Sequence, residues 1–191
     1  MAFDSDVIEA ARGLGIRLVA GTPLRWLTAR GHLDPFVQRH APSDILDALD
    51  DLHAGLGGDR RALAHKRGVA PRPDLMVEAT GQLVELDEVE HFTTARLDSL
   101  ARYPSRMRLG FSLDDYRALI DTWKARAHSV FTPRASSDFD FVGGRRAHRA
   151  YYDAVKDLLA PTFTSYSVLR LAVPDGDVER AMGALTAGLA Y

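Results

Sequence analysis

The sequence predicts an α/β domain on three observations. Two short apolar runs, LMVEA and QLVELD, flank a Thr-Gly turn between residues 75 and 87. The run SYSVLRLAV at 165–173 is β-branched and apolar at alternate positions. Around these lie several stretches whose apolar residues recur at helical spacing. A chain of 191 residues is enough for one domain of ordinary size, so a single domain is expected.

Taken in order, DSDVIEAARG at 4–13 reads as a short helix with an acidic first turn and a glycine stop, and IRLVA after it is a candidate strand. Residues 21–42 are punctuated by Pro23, Gly31, Pro35 and Pro42. Ser43 then caps SDILDALDDLHAGL, whose Ile45, Leu46, Leu49 and Leu52 form an apolar stripe, and Asp59 opens DRRALAHKR, which ends at Gly68. Residues 1–70 are therefore expected as a helical N-terminal part. HFTTARLDSLARYP reads as helical as far as Pro104. FSLDDYRALIDTWKARAHSV opens with Ser112 and Asp115 in a capping arrangement and carries Leu113, Tyr116, Leu119, Ile120 and Trp123 as its stripe. Residues 132–144 are loop-like. RRAHRAYYDAVKDLLAP follows as a helix that Pro161 stops, with Tyr151, Tyr152, Val155, Leu158 and Leu159 toward the core, and VERAMGALTAGLA is a small-residue helix.

Composition excludes several classes. Apolar residues make up 46% and charged residues 26%, the balance of a soluble globular chain. No apolar stretch reaches the roughly 18 residues that cross a bilayer, and the acidic start MAFDSDVIEA is unlike a signal peptide, so a cytoplasmic protein with no membrane partner is expected. Cysteine is absent, which removes disulfides, thiolate metal sites and cysteine nucleophiles. There is no Walker loop, no G-x-G-x-x-G, no H-E-x-x-H and no G-x-S-x-G. The net charge of -2 gives no overall attraction to nucleic acid, yet arginine clusters locally in DRRALAHKRGVAPR, RYPSRMR and GGRRAHR. Arginine's planar fork suits phosphate; a base-composition bias of the source would give the same enrichment.

A two-residue turn at Thr80-Gly81 sets Ala79 opposite Gln82, Val77 opposite Val84, Leu75 opposite Leu86 and Asp74 opposite Asp87. Alternation then gives Leu75, Val77, Val84 and Leu86 one face and Asp74, Met76, Glu85 and Asp87 the other. Three carboxylates together on one face are unfavourable unless something neutralises them, and a hard divalent cation does so with oxygen ligands.

The stretch PDLMVEATGQLVELDE resembles the signature of the PD-(D/E)XK nuclease superfamily: Pro73-Asp74 begins one strand and Glu85 follows on the next, with Asp87 where lysine is usual. His91, in VELDEVEHF, brings it nearest in motif to the very-short-patch-repair-like branch, and RAYYDAVKDLL followed by SYSVLRLAV is similar to that branch's later helix and strand. The resemblance implies a mixed β-sheet flanked by helices, the restriction-endonuclease-like fold. Residues 71–91 and 145–173 would form the nuclease-like core and 92–144 a helical insertion. It implies hydrolysis of phosphodiester bonds, in DNA rather than RNA, by an endonuclease that uses Mg²⁺ or Mn²⁺. Asp74, Glu85 and Asp87 would hold the metal. His91 would serve as general base or phosphate contact, Lys156 as a displaced catalytic lysine, and Arg72, Arg146 and Arg149 as nucleic-acid contacts. Glu9 is a candidate for an additional upstream carboxylate. Nucleases of this type often act as homodimers, though the sequence marks no interface. Two other readings stand beside this one: a nuclease-fold module that binds nucleic acid or a protein partner without turnover, and an acidic hairpin that is merely a solvated edge.

Overall fold

A computed structural model describes residues 2–130 and 134–189. A four-stranded mixed sheet lies at its centre, in the order β1 (Leu18–Ala20), β2 (Leu75–Val77), β3 (Leu83–Asp87) and β4 (Leu169–Ala172). The first three strands are antiparallel neighbours, and β4 runs parallel to β3. A parallel neighbour needs a long crossover, and residues between β3 and β4 supply it as helices α5 (Thr94–Leu100), α6 (Leu113–Val130) and α7 (Gly144–Thr164). Before the hairpin stand α1 (Ala2–Gly13), α2 (Pro35–His40), α3 (Ser43–Gly55) and α4 (Arg60–Ala64); α8 (Val178–Leu189) closes the described chain.

Strand alternation sorts the core onto two faces. Leu18, Leu75, Val77, Val84, Leu86, Leu169 and Leu171 pack with Val7 and Ala11 of α1 and Ala181 and Leu185 of α8. On the opposite face, Leu83 and Val168 meet Tyr151, Val155 and Leu158 of α7, which in turn cover Leu49 and Leu52 of α3. A smaller cluster of Phe92, Leu100, Tyr116 and Ile120 joins α5 to α6. Of the two serines expected as caps, Ser112 accepts from the Asp115 N–H at 3.3 Å, whereas Ser43 is the first residue of α3, which has Pro42 at its N-cap and no side-chain cap bond.

Three expectations need correction. The hairpin register is shifted by two residues, with Leu75 opposite Val84 and Met76 opposite Leu83. The cause is a four-residue loop, 78–81, closed by the Gly81 N–H on Val77 O at 2.8 Å, in place of the two-residue turn that Thr80-Gly81 suggests. An even shift preserves which face each side chain takes, so the inward and outward sets stand while the opposed pairs change. The first 70 residues are also not only a helical preface, because α1 and β1 belong to the central layers. Finally, α7 runs through Pro161 to Thr164. Proline withholds one N–H from the helix, but the last turn is held by tertiary contacts: Trp26 stacks on Phe163 with ring centroids 5.0 Å apart, and Thr164 Oγ1 donates to Ala160 O at 2.9 Å. Part of the loop expected at 132–144 lies outside the described residues.

Candidate active site

The inward face of β3 and the polar stripe of α7 enclose a cleft of about 560 Å³, into which Arg72, Asp74, Glu85, His91, Arg149 and Lys156 all project. Asp74 precedes β2, and the register carries it opposite Glu85. One carboxylate oxygen, Oδ2, accepts from the Leu86 N–H at 2.8 Å, which ties the acid to the next strand. The backbone before it is fixed by a close approach: the Gly21 N–H donates to Asp74 O at 3.1 Å, and a Cβ on Gly21 would lie 1.9 Å from Pro73 O. Glu85 is buried, forms an ion pair through Oε2 with Lys156, and leaves Oε1 buried without a hydrogen-bond partner among the described residues. Burial raises the Glu85 carboxyl to about 7, with Lys156 opposing the shift and Asp74 adding to it. Burial pulls the Lys156 ammonium down, but the Glu85 and Asp153 carboxylates outweigh it, so its pKa is raised and its charge kept.

Asp87 takes a different role from the one its spacing suggests. It is fully buried and does not line the cleft. Arg170 NH1 donates to its two oxygens at 2.8 and 3.0 Å, and the Tyr116 hydroxyl donates at 2.6 Å. Arg170 also donates from Nε to Asp157 Oδ1 at 2.8 Å and from NH2 to the Asp153 carbonyl at 3.1 Å. Asp157 is completed by Arg96 at 2.8 Å and the Tyr103 hydroxyl at 2.7 Å. Burial pushes Asp87 and Asp153 up, and the Arg170 guanidinium together with His91 more than reverses it, holding both carboxyls below the usual range. Asp87 is therefore a structural carboxylate, and the solvated-edge reading fails with it.

His91 bridges this network and the cleft. Its Nδ1 lies 3.1 Å from both Asp87 Oδ1 and Asp153 Oδ2. Carboxylates only accept, so Nδ1 carries a proton, and the ring's other nitrogen is the one left for chemistry. Arg146 stands apart from the cleft-lining residues. Burial and, second, Arg146 hold His128 below its ordinary value, which puts Arg146 on the side toward α6. Its neighbour Arg145 lines the cleft in its stead, and Tyr152, expected as core, is half-buried there as well. Glu9 is exposed on α1, on the far side of the sheet. Periodicity alone contained the signal for Arg145 and His148, which stand 11 and 8 residues before Lys156 on the same stripe as Arg149.

The donor set fits a small hard cation. Among the described residues no three His, Asp or Glu side chains are grouped to enclose a metal, but Mg²⁺ commonly takes one or two carboxylates and fills its shell with water and substrate phosphate. Asp74 and the orphaned Oε1 of Glu85 match that requirement. The chain matches no protein-family model, no curated protein and no solved structure.

Proposed function

We propose that the protein is a metal-dependent nuclease with a restriction-endonuclease-like core, cleaving phosphodiester bonds in nucleic acid, with DNA as the first substrate. One observation carries the reading: Asp74, just before β2, and Glu85, on the paired β3, meet Lys156 of α7 in a single cleft bordered by Arg72, Arg145 and Arg149. The architecture is compatible with it, since a mixed sheet flanked by helices, with α7 followed by β4, is what the Pro73-Asp74 and Glu85 resemblance implies. Lys156 reaches Glu85 from the helix, which offsets the replacement of the usual strand lysine by Asp87.

Asp74 and Glu85 would hold the Mg²⁺ or Mn²⁺. The ion supplies charge neutralisation at a phosphoryl oxygen and a more acidic bound water. Lys156, which pairs with Oε2 of Glu85, would donate to the phosphate as negative charge builds. His91, oriented by Asp87 and Asp153, presents its second nitrogen as the proton acceptor. Arg72 and Arg149 hold the flanking backbone.

Supercoiled plasmid and single-stranded DNA incubated with Mg²⁺ or Mn²⁺ test this directly. Wild type is expected to nick or degrade one of them, and Asp74→Ala and Glu85→Ala to lower the rate by at least about 100-fold, the scale of losing a metal-held transition state. Equal cutting by the variants would assign the activity to a contaminant. Binding of DNA and metal with no cleavage would replace the enzyme by a binding module.

A further inference from the structure

The first turns of α7 form a wall of the cleft that no step above fully uses. Arg145, His148, Arg149, Tyr152, Asp153 and Lys156 line it at helical spacing, so one stripe runs from a cationic end to the Glu85–Lys156 pair. Behind the cationic end lies Asp138, which is fully buried. Its Oδ1 accepts from Lys66 Nζ at 2.7 Å, from Ser136 Oγ at 2.9 Å and from His148 Nδ1 at 3.0 Å. The Lys66 ammonium also lies 3.5 Å from His148 Nδ1 and donates to the Tyr152 hydroxyl at 3.2 Å, and that hydroxyl donates onward to Ala29 O. The Asp138 carboxylate only accepts, so His148 Nδ1 is an N–H directed at it. The tautomer is thereby fixed, and Nε2 of His148 has no partner among the described residues.

Serine, histidine and aspartate together invite a nucleophile reading, which the geometry refuses. A catalytic triad places serine and carboxylate on opposite ring nitrogens. Here Ser136 Oγ lies 2.8 Å from the same Nδ1 that faces Asp138. What remains is a carboxylate-backed imidazole beside arginines, and with Nε2 protonated as well as Nδ1 this imidazolium would donate to an anion rather than attack a substrate.

We propose that His148 and Arg145, together with Arg149, form a second phosphate subsite that grips the substrate strand several nucleotides from the scissile phosphate. This rests on the nuclease reading of the Asp74–Glu85 end and extends it to substrate length. His148 and Arg145 precede Lys156 by 8 and 11 residues, or about 12 and 16 Å along the helix axis. One duplex strand presents a phosphate about every 3.4 Å of axis, so the subsite lies roughly three to five phosphates away. The substrate it selects is an oligonucleotide continuing past the cut, and mononucleotides or dinucleotides are held at one end only. Asp138, Lys66 and Ser136 are positioning residues that act through His148.

Binding without metal separates this subsite from catalysis. Fluorescence anisotropy would follow labelled single-stranded and duplex oligonucleotides of about 2 to 20 nucleotides in EDTA over a salt series, for wild type, Arg145→Ala, His148→Ala and the remote control Lys124→Ala. Affinity of wild type is expected to climb with length up to roughly eight nucleotides. Arg145→Ala and His148→Ala should each remove part of that climb and reduce the salt slope by about 0.9 on duplex or 0.7 on single strands. Lys124→Ala should change neither. Arg145 is exposed, so its variant tests the subsite even if His148→Ala proves unstable by thermal melting. Unchanged slopes and length dependence in Arg145→Ala and in a folded His148→Ala would overturn the subsite and leave the nuclease reading standing. A wild type that binds no oligonucleotide would overturn both.

Discussion

Asp87 carries the acid that spacing offers as a third metal ligand, and the fold places it against Arg170, Tyr116 and His91 instead. The sequence could assign Asp87 to the inward face, because alternation depends only on parity. It could not say that α6 and β4 would bring Tyr116 and Arg170 to that carboxylate, since both partners are distant in the chain. Asp74, Glu85, His91, Lys156, Arg72 and Arg149 were legible, because motif and helical spacing select them individually. Arg145 and Arg146 differ by a single position, about 100° of rotation on a helix, and that rotation sets Arg145 rather than Arg146 in the cleft. Asp87→Asn should destabilise the protein by on the order of 3 kcal/mol, the cost of breaking a buried ion pair from one side. Urea unfolding measures this. A stabilised variant would return Asp87 to the solvated acids.

At the level of elements, the site depends on where the hairpin meets β1. Gly21 lets its backbone approach Pro73 so closely that an added methyl group collides with Pro73 O. Gly21→Ala should therefore shift Pro73-Asp74, cost about 1–3 kcal/mol as an overpacking change, and weaken metal binding as well. Wild-type stability and wild-type metal affinity in that variant would contradict the link between this contact and Asp74. Thr80-Gly81 does not fix the turn length, because a glycine at positive φ serves two-residue turns and longer loops alike, and here Gly81 takes it at the end of a four-residue loop. The helix through Pro161 was likewise invisible locally, since it is Trp26, far back in the chain, that stacks on the turn beyond it.

The whole molecule places helices on both faces of one sheet, with the cleft on the α7 side and α1 and α8 on the other. Alternation and amphipathic stripes made the helices and strands readable; the pairing of β1 with β2 was not, because a three-residue strand has too short a pattern to reveal its neighbour. Beneath α3 the fold also buries two histidines. Burial, together with Arg60 for His32 and His32 for His53, lowers each to about 4 from 6.5. The unfolded chain therefore binds more protons between pH 6.5 and 4, so this contribution is present above 6.5 and lost as pH falls toward 4. Glu85, raised to about 7, acts in the opposite sense, and a comparison with His53→Leu cancels it. Wild type should gain on that variant by up to about 3 kcal/mol as pH rises from 4 to 6.5. A constant difference in chemical denaturation across that range would contradict a neutral buried His53.

The central claim is that Asp74 and Glu85 form a divalent-cation centre. Calorimetric titration with Mn²⁺ at pH 7, in two buffers of different ionisation heat, tests it before any substrate is known. A carboxyl raised to about 7 must lose its remaining proton to bind metal, so the account predicts one site, release of on the order of half a proton, and binding weakened by at least about tenfold in both Asp74→Asn and Glu85→Gln. No binding by wild type, or titrations unchanged in the two variants, would contradict it.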